Sequence, residues 1–276
     1  MEVIAKKIKA LRKNKKITQE QLAEVLAVSS QAVSKWENGI STPDIELLPI
    51  IARYFGITMD ELFNYRQDAL NYRERFVRFM ADNGVLKFGE FGLQSGRVSP
   101  YYIDTSSYKS ASQITKLGKF YAECMIENNV HSEMLCAPAN QKAPLVIATS
   151  MVLFEKYGRD IEYSIGNTIG ANLTSGKNIT IIEDTLTSGN TLCETLKSIR
   201  GNASDSEIDV VVSVDRMEKS GALSGTAKKH IEEEYGIRIY SIVTLQDIIS
   251  AIKNGVIPAS EYLDALQQYK ERYGGK

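Results

Sequence analysis

From Met1 to about Arg66 the apolar residues recur at helical spacing, in short runs bounded by capping and stop signals. Ile4, Ile8 and Leu11 mark one stripe of a first helix, from about Val3 to Asn14. Thr18 with Gln21 forms a capping box ahead of Leu22, Val25 and Leu26. Val28-Ser29-Ser30 breaks the pattern before a third helix, Gln31 to Glu37, which Asn38-Gly39 ends. Ser41-Thr42-Pro43-Asp44 opens a fourth that buries Leu47, Leu48, Ile51 and Phe55, with distortion expected at Pro49. Thr58 and Glu61 cap a fifth short turn ending at Phe63.

After Asn64 the pattern changes. A charged helical stretch, Asn64 to Phe79, offers Leu70, Phe76 and Phe79 to a second domain, and three glycine-containing turns then separate strand-like pieces from Gly84 to Asp104. An amphipathic helix follows (Tyr108 to Asn129), and beyond it strands and helices succeed one another. The strands are Met134–Pro138, Ile161–Tyr163, Ile179–Ile182, Ile208–Val214 and Ile237–Val243, with helices at Pro144–Tyr157, around Leu192, Leu196 and Ile199, and at Thr226–Tyr235. An all-α domain over residues 1–66 and an α/β domain over 67–276 are therefore expected.

Composition narrows the function classes. The 276 residues are 43% hydrophobic and 24% charged, as in a soluble globular protein, and no apolar run reaches membrane-spanning length. The lysine-rich, amphipathic start is not a signal peptide. Cys124, Cys136 and Cys193 make an odd set without CxxC spacing, which argues against a disulfide framework or zinc site and fits a reducing cytoplasm. The net charge is −1, yet Met1 to Lys16 holds seven Lys/Arg against one acid, Glu2, so a local basic face is expected.

The most informative stretch is Ile179 to Thr191, ITIIEDTLTSGNT. A strand runs into two carboxylates, Glu183 and Asp184, then a loop of small residues (Thr187, Ser188, Gly189, Asn190, Thr191) and a helix. Loop N–H groups and a helix N-terminus favour a phosphate. The carboxylates can accept ribose hydroxyls or hold a Mg²⁺ that bridges to pyrophosphate oxygens. An ordinary β-turn-α connection with capping residues is the alternative, but it leaves the second acid and the length of the polar loop unexplained.

Two resemblances build on these residues. TQEQLAEVLAVSSQAVSKWENGISTPDIELLPIIARYFGITMDELF resembles the Cro/phage-repressor family of helix-turn-helix domains over its whole length. That resemblance implies that Gln19 and Gln31 contact phosphate or bases, that Ser29, Ser30, Ser34 and Lys35 lie at base- and backbone-contacting positions, and that Trp36 and Leu22 are structural. A small helical bundle for protein contacts is the alternative.

GVLKFGEFGLQSGRVSPYYID (Gly84 to Asp104) resembles the amino-terminal hood of orotate phosphoribosyltransferases, a type I phosphoribosyltransferase fold with a mainly parallel sheet. The resemblance implies that Lys87 reaches base or phosphates and that Tyr101 and Tyr102 flank a nucleobase pocket; a solvated lysine and core tyrosines are the alternative. It places a pyrophosphate loop at Ala137 to Lys142, with Gln141 where the family has lysine and Lys142 where a glycine is usual. It makes Glu183 and Asp184 the ribose-binding acids, Thr187 to Thr191 the 5′-phosphate loop, and Arg216 the holder of an orotate carboxylate, against an ion pair with Asp215 or Glu218. The family's long mobile loop of lysines and a histidine is the departure. Here Ser164 to Ile169 carries no Lys, Arg or His, nor does any residue between Arg159 and Lys177. Such cations offset charge on departing pyrophosphate. The expectation is a homodimeric, DNA-binding transcription regulator. Its effector would be phosphoribosyl pyrophosphate, accompanied by Mg²⁺, or a pyrimidine nucleotide such as orotidine monophosphate. An active orotate phosphoribosyltransferase with an appended DNA reader, or a transferase for another base, are the alternatives.

Overall fold

The structure is a computed structural model that describes residues 2–57, 59–63, 70–93, 96–137, 139–166, 169–219 and 225–275. The cap expected of Thr58, the helical start expected at Asn64, the boundary between 66 and 67, Pro138, Asn167 and Thr168 lie outside them. The chain divides into two compact units, Met1–Ala69 and Leu70–Lys276.

The first unit is helical: α1 (Glu2–Asn14), α2 (Gln19–Val25), α3 (Ser30–Glu37), α4 (Leu47–Phe55) and α5 (Met59–Leu62). Both halves of the Thr18–Gln21 capping box form, and Ser29 caps α3 by accepting the Ala32 N–H at 3.2 Å. Helix α4 starts later than expected, at Leu47, after a turn in which the Leu47 N–H meets the Asp44 carbonyl. Pro49 is thus its third residue, where no helical N–H is required, and the expected distortion has no cause. Leu48 and Ile51 are buried, while Leu47 and Phe55 are only half-buried. Ile8, Leu22, Val33, Trp36, Ile51 and Leu62 form the core.

One buried acid ties this unit together. Glu37, 5% exposed at the end of α3, receives Arg12 Nε at 2.6 Å and Nη2 at 2.9 Å from α1, and Gln19 Nε2 at 2.8 Å from the start of α2. Burial alone would raise its carboxyl, but the Arg12 and Gln19 hydrogen bonds, with the Arg12 and Lys9 charges, bring it below its ordinary value.

The second unit opens with α6 (Tyr72–Asp82), capped by Asn71 in a box with Glu74, so the helix expected from Asn64 begins at Tyr72 among the described residues. Phe76 and Phe79 are buried in its core, and Leu70 packs against it half-buried. Strands β1 (Leu86–Gly92) and β2 (Val98–Ile103) pair as an antiparallel hairpin. Helix α7 (Ala111–Glu127) leads to β3 (Met134–Ala137), and a 3-10 turn, Asn140–Lys142, opens α8 (Ala143–Tyr157). Strands β4 (Glu162–Ile165), β5 (Ile169–Gly170) and β6 (Asn178–Leu186) follow, then α9 (Asn190–Asn202), β7 (Glu207–Asp215), α10 (Ala227–Tyr235), β8 (Arg238–Thr244), α11 (Leu245–Lys253) and α12 (Leu263–Tyr273). The six-stranded sheet has the order β5-β4-β3-β6-β7-β8, parallel except for β5.

Period-2 alternation sends Leu135 and Ile182 to one face of this sheet and Cys136, Ile179 and Ile181 to the other. Helices α7 and α8 approach closely on the first face: a Cβ at Gly118 would lie 2.8 Å from the Ala148 backbone, so only glycine fits. All three cysteines are unpaired, and among the described residues no helix is long and apolar enough to cross a membrane.

The single tryptophan, Trp36, reports on the first unit alone. Glu37→Ala should destabilise that unit by about 3 kcal/mol, because it leaves Arg12 without its buried partner. The contribution of Glu37 is complete above its unfolded value, near 4.5, and is lost as pH falls through its depressed folded value. Urea unfolding of the full chain followed by Trp36 fluorescence, at pH 7 and pH 3, checks both; equal losses at the two pH values would contradict the network.

Candidate functional site

The site begins where two central strands part. Strand β6 pairs with β3 only as far as Cys136 opposite Ile181, whereas its pairing with β7 continues to Leu186 opposite Asp215. Helix α8, after β3, packs its Leu145, Val146 and Leu153 on one face; α9, after β6, packs Leu192, Leu196 and Ile199 on the other. Connections leaving adjacent parallel strands toward opposite faces open a crevice at their carboxyl ends. Glu183 and Asp184 stand at this crevice. They lie within β6 and not beyond it, because β7 continues to hold the strand after β3 has turned away.

The acid pair is anchored through its backbone. Tyr121 Oη donates to the Glu183 carbonyl at 2.6 Å, and Ser213 Oγ donates to the Asp184 carbonyl. The side chains meet a cation: Lys142 Nζ pairs with Glu183 Oε2 and lies 3.5 Å from Asp184 Oδ2, to which Thr105 Oγ1 also donates at 3.4 Å. Glu183 is 8% exposed, and its Oε1 is buried with no hydrogen-bond partner among the described residues. Such an orphaned acceptor is costly unless a donor arrives.

Beyond the acids, Thr187, Ser188 and Gly189 lead into α9, whose first turn contains Asn190 and Thr191. Gly189 takes φ 82°, and a Cβ there would collide with Ile231, so glycine is required twice over. No side chain caps α9, unlike α7, α10 and α11, which leaves its first-turn N–H groups facing a small cavity of about 50 Å³ lined by Glu183 and Thr187 to Thr191. The capping alternative therefore does not account for the loop.

Two larger cavities adjoin. One, of about 360 Å³, is lined by Tyr102, Arg97, Thr187, Ser188 and Arg216; the other, of about 580 Å³, by Thr105, Lys109, Gln141, Lys142 and Asp184. Arg216 is 3% exposed and pairs with Glu218, not Asp215: Nε donates to Glu218 Oε1 at 2.6 Å, and Nη2 donates to Ser99 Oγ at 2.9 Å and Tyr269 Oη at 3.2 Å. Arg97, which the sequence reading did not single out, meets the other oxygen of Glu218 at 2.9 Å and brings a second guanidinium to this cavity. Its signal was present in the SGRVSP turn of the hood, but its partner lies 121 residues away.

The hood residues separate. Tyr101 is fully buried beneath Arg216, whose guanidinium lies 4.2 Å from its ring centre. Tyr102 is 41% exposed, stacks on Phe91 and lines the cavity. Lys87 Nζ donates to Asp104 at 2.7 Å, and that bond, with those from Ser106 and Ser107, holds the Asp104 carboxyl down at about 2 against a slight opposing effect of burial.

In the segment lacking basic residues, the described residues on either side of positions 167 and 168 pair as antiparallel strands. Strand β4 continues through Ser164 and Ile165, beyond the expected Tyr163, and pairs antiparallel with β5 through Ser164–Gly170 and Ile165–Ile169. Gly170, at φ 88°, lies against the Tyr163 carbonyl, where no Cβ fits.

On the helical unit, Gln31 and Lys35 are exposed along α3, and Ser30 and Ser34 are half-buried beside them. Ser29 is committed to its capping bond, Ser34 Oγ accepts Asn38 Nδ2 at 3.5 Å, and Gln19 is held by Glu37.

A helix-turn-helix family model matches residues 8–62. The orotate phosphoribosyltransferase of Lachnoclostridium phytofermentans is 34% identical over 220 residues, 74% of this chain and 97% of that protein. One from Clostridium botulinum is 33% identical over 222 residues, 74% of this chain and 99% of its own. The crystal structure of the Francisella tularensis orotate phosphoribosyltransferase superposes with a TM-score of 0.63 at 32% identity, over 73% of this chain and 100% of that one. Similarity of this extent, in sequence and in fold, means that the chain belongs to the orotate phosphoribosyltransferase family and carries a helix-turn-helix domain fused ahead of the phosphoribosyltransferase-like domain.

Proposed function

We propose that this chain is a DNA-binding transcription regulator whose phosphoribosyltransferase-like domain, residues 67–276, serves as a receptor. Its effector is phosphoribosyl pyrophosphate or a pyrimidine nucleotide such as orotidine monophosphate, bound without efficient turnover. One observation carries this: no Lys, Arg or His occurs between Arg159 and Lys177, and the described residues on either side close as the β4–β5 hairpin. Nothing in that segment can offset the charge of a departing pyrophosphate. The binding parts favour a receptor. Glu183 and Asp184 face ribose hydroxyls, with Glu183 Oε1 awaiting a donor; Thr187 to Thr191 and the uncapped α9 receive the 5′-phosphate. Tyr102, Arg97 and Arg216 face the base, with Tyr101 supporting Arg216 from below. Gln141 and Lys142 face the group at the sugar's anomeric carbon, and Lys87 acts through Asp104 at the rim of the crevice.

In the helical domain, residues 1–66, Gln31 and Lys35 are the side chains best placed to read base edges, with Ser29, Ser30, Ser34 and Gln19 approaching the phosphates. A homodimer presents two such heads to paired half-sites. Effector binding controls DNA affinity to the extent that the effector prefers one state of the protein over another.

Orotate consumption with phosphoribosyl pyrophosphate and Mg²⁺ should fall far below the ~10 s⁻¹ usual for enzymes. Turnover near that rate would make the chain an orotate phosphoribosyltransferase with an appended DNA reader. DNA affinity should change on adding phosphoribosyl pyrophosphate or orotidine monophosphate. Asp184→Asn should abolish the change while leaving Trp36 fluorescence and effector-free DNA binding intact; a persistent change would mean that the carboxylate is not in the site. Gly189→Ala should weaken effector binding about tenfold or more, since strain and the Ile231 collision displace the α9 N-terminus. Unaltered affinity by isothermal titration would place the phosphate elsewhere.

A further inference from the structure

Lys142 sits in a position that local structure disfavours. It is the residue at the N-terminus of α8, makes no side-chain cap there, and adds a positive charge to the positive end of the helix dipole. Yet its ammonium bridges Glu183 Oε2 and Asp184 Oδ2, and both carboxylates are more than half buried. Buried carboxylates require a compensating cation. A Mg²⁺ held by the acid pair would occupy the same space as this ammonium and would bring two like charges together. The residues present therefore do not fit a divalent cation at the acid pair.

We propose that Lys142 is a built-in replacement for that cation, so that the receptor binds its phosphorylated sugar without divalent metal. This rests on the effector reading given above. In the free protein the ammonium neutralises Glu183 and Asp184. When ribose hydroxyls donate to these carboxylates, Nζ turns toward the anionic substituent of the ligand, in the cavity that Lys142 shares with Gln141 and Lys109. The site then selects for charge and hydroxyl geometry and is indifferent to Mg²⁺ concentration.

The full-length chain tests this in two independent arms. In the first, Mn²⁺ alone is titrated and followed by electron paramagnetic resonance. The wild type should show no saturable site, whereas Lys142→Gly and the volume-preserving Lys142→Met should each gain one that a further Asp184→Asn removes. A saturable wild-type site lost in Asp184→Asn, or no gain in folded variants, overturns the proposal. In the second arm, phosphoribosyl pyrophosphate and orotidine monophosphate are titrated calorimetrically in Mg²⁺ and in EDTA. Wild-type affinity should differ by less than about twofold, while Lys142→Met should lose about tenfold or more in EDTA and recover with Mg²⁺. A wild-type loss of about tenfold in EDTA overturns the proposal. If neither ligand binds the wild type, the effector reading fails, and the Mn²⁺ arm still decides the role of Lys142.

Discussion

Two carboxylates side by side on a central strand, with one of them almost wholly out of water, set the terms for the rest of the α/β unit. Adjacent like charges in a low-dielectric crevice demand compensation. Here it comes from the Lys142 ammonium in the turn after β3, the Thr105 hydroxyl in the turn after β2 and the Asp184 N–H, which donates to Glu183 Oε2 at 3.2 Å, while Tyr121 and Ser213 fix the strand's backbone. Each donor is delivered by a different element. The early end of β3 and the long pairing of β6 with β7 fix where this cluster of charge stands.

The helical unit uses the same device on a smaller scale. Glu37 holds α1, α2 and α3 in register through Arg12 and Gln19, beneath the helix whose outward face carries Gln31 and Lys35. A buried ionic contact adds little net stability compared with apolar packing, but breaking one half of it is costly. This one joins α1, the start of α2 and the end of α3 at a single carboxylate.

Much of this was legible in the sequence because it is local. Capping residues, the helix-turn-helix breaks and the strand-acid-loop-helix order of Ile179 to Thr191 all act over a few residues. What was not legible is tertiary. The late start of α4 at Leu47, which makes Pro49 harmless, depends on the turn at Asp44. The placement of Glu183 inside β6 depends on pairing with β7. The commitment of Arg216 to Glu218, Ser99 and Tyr269, and the arrival of Arg97 at the same acid, join residues far apart in the chain. Periodicity and spacing carry no record of such partners.

The β4–β5 hairpin has a thermodynamic consequence. Ile165 and Ile169, four positions apart in the chain, are already register partners in β4 and β5. A receptor closed by a mobile loop must freeze that loop on binding, at roughly 1–2 kcal/mol per residue of backbone entropy. In this fold the two carboxylates lie within β6 and Lys142 lies in the turn that opens α8, before any ligand arrives. A ligand that meets these groups finds few of them left to order.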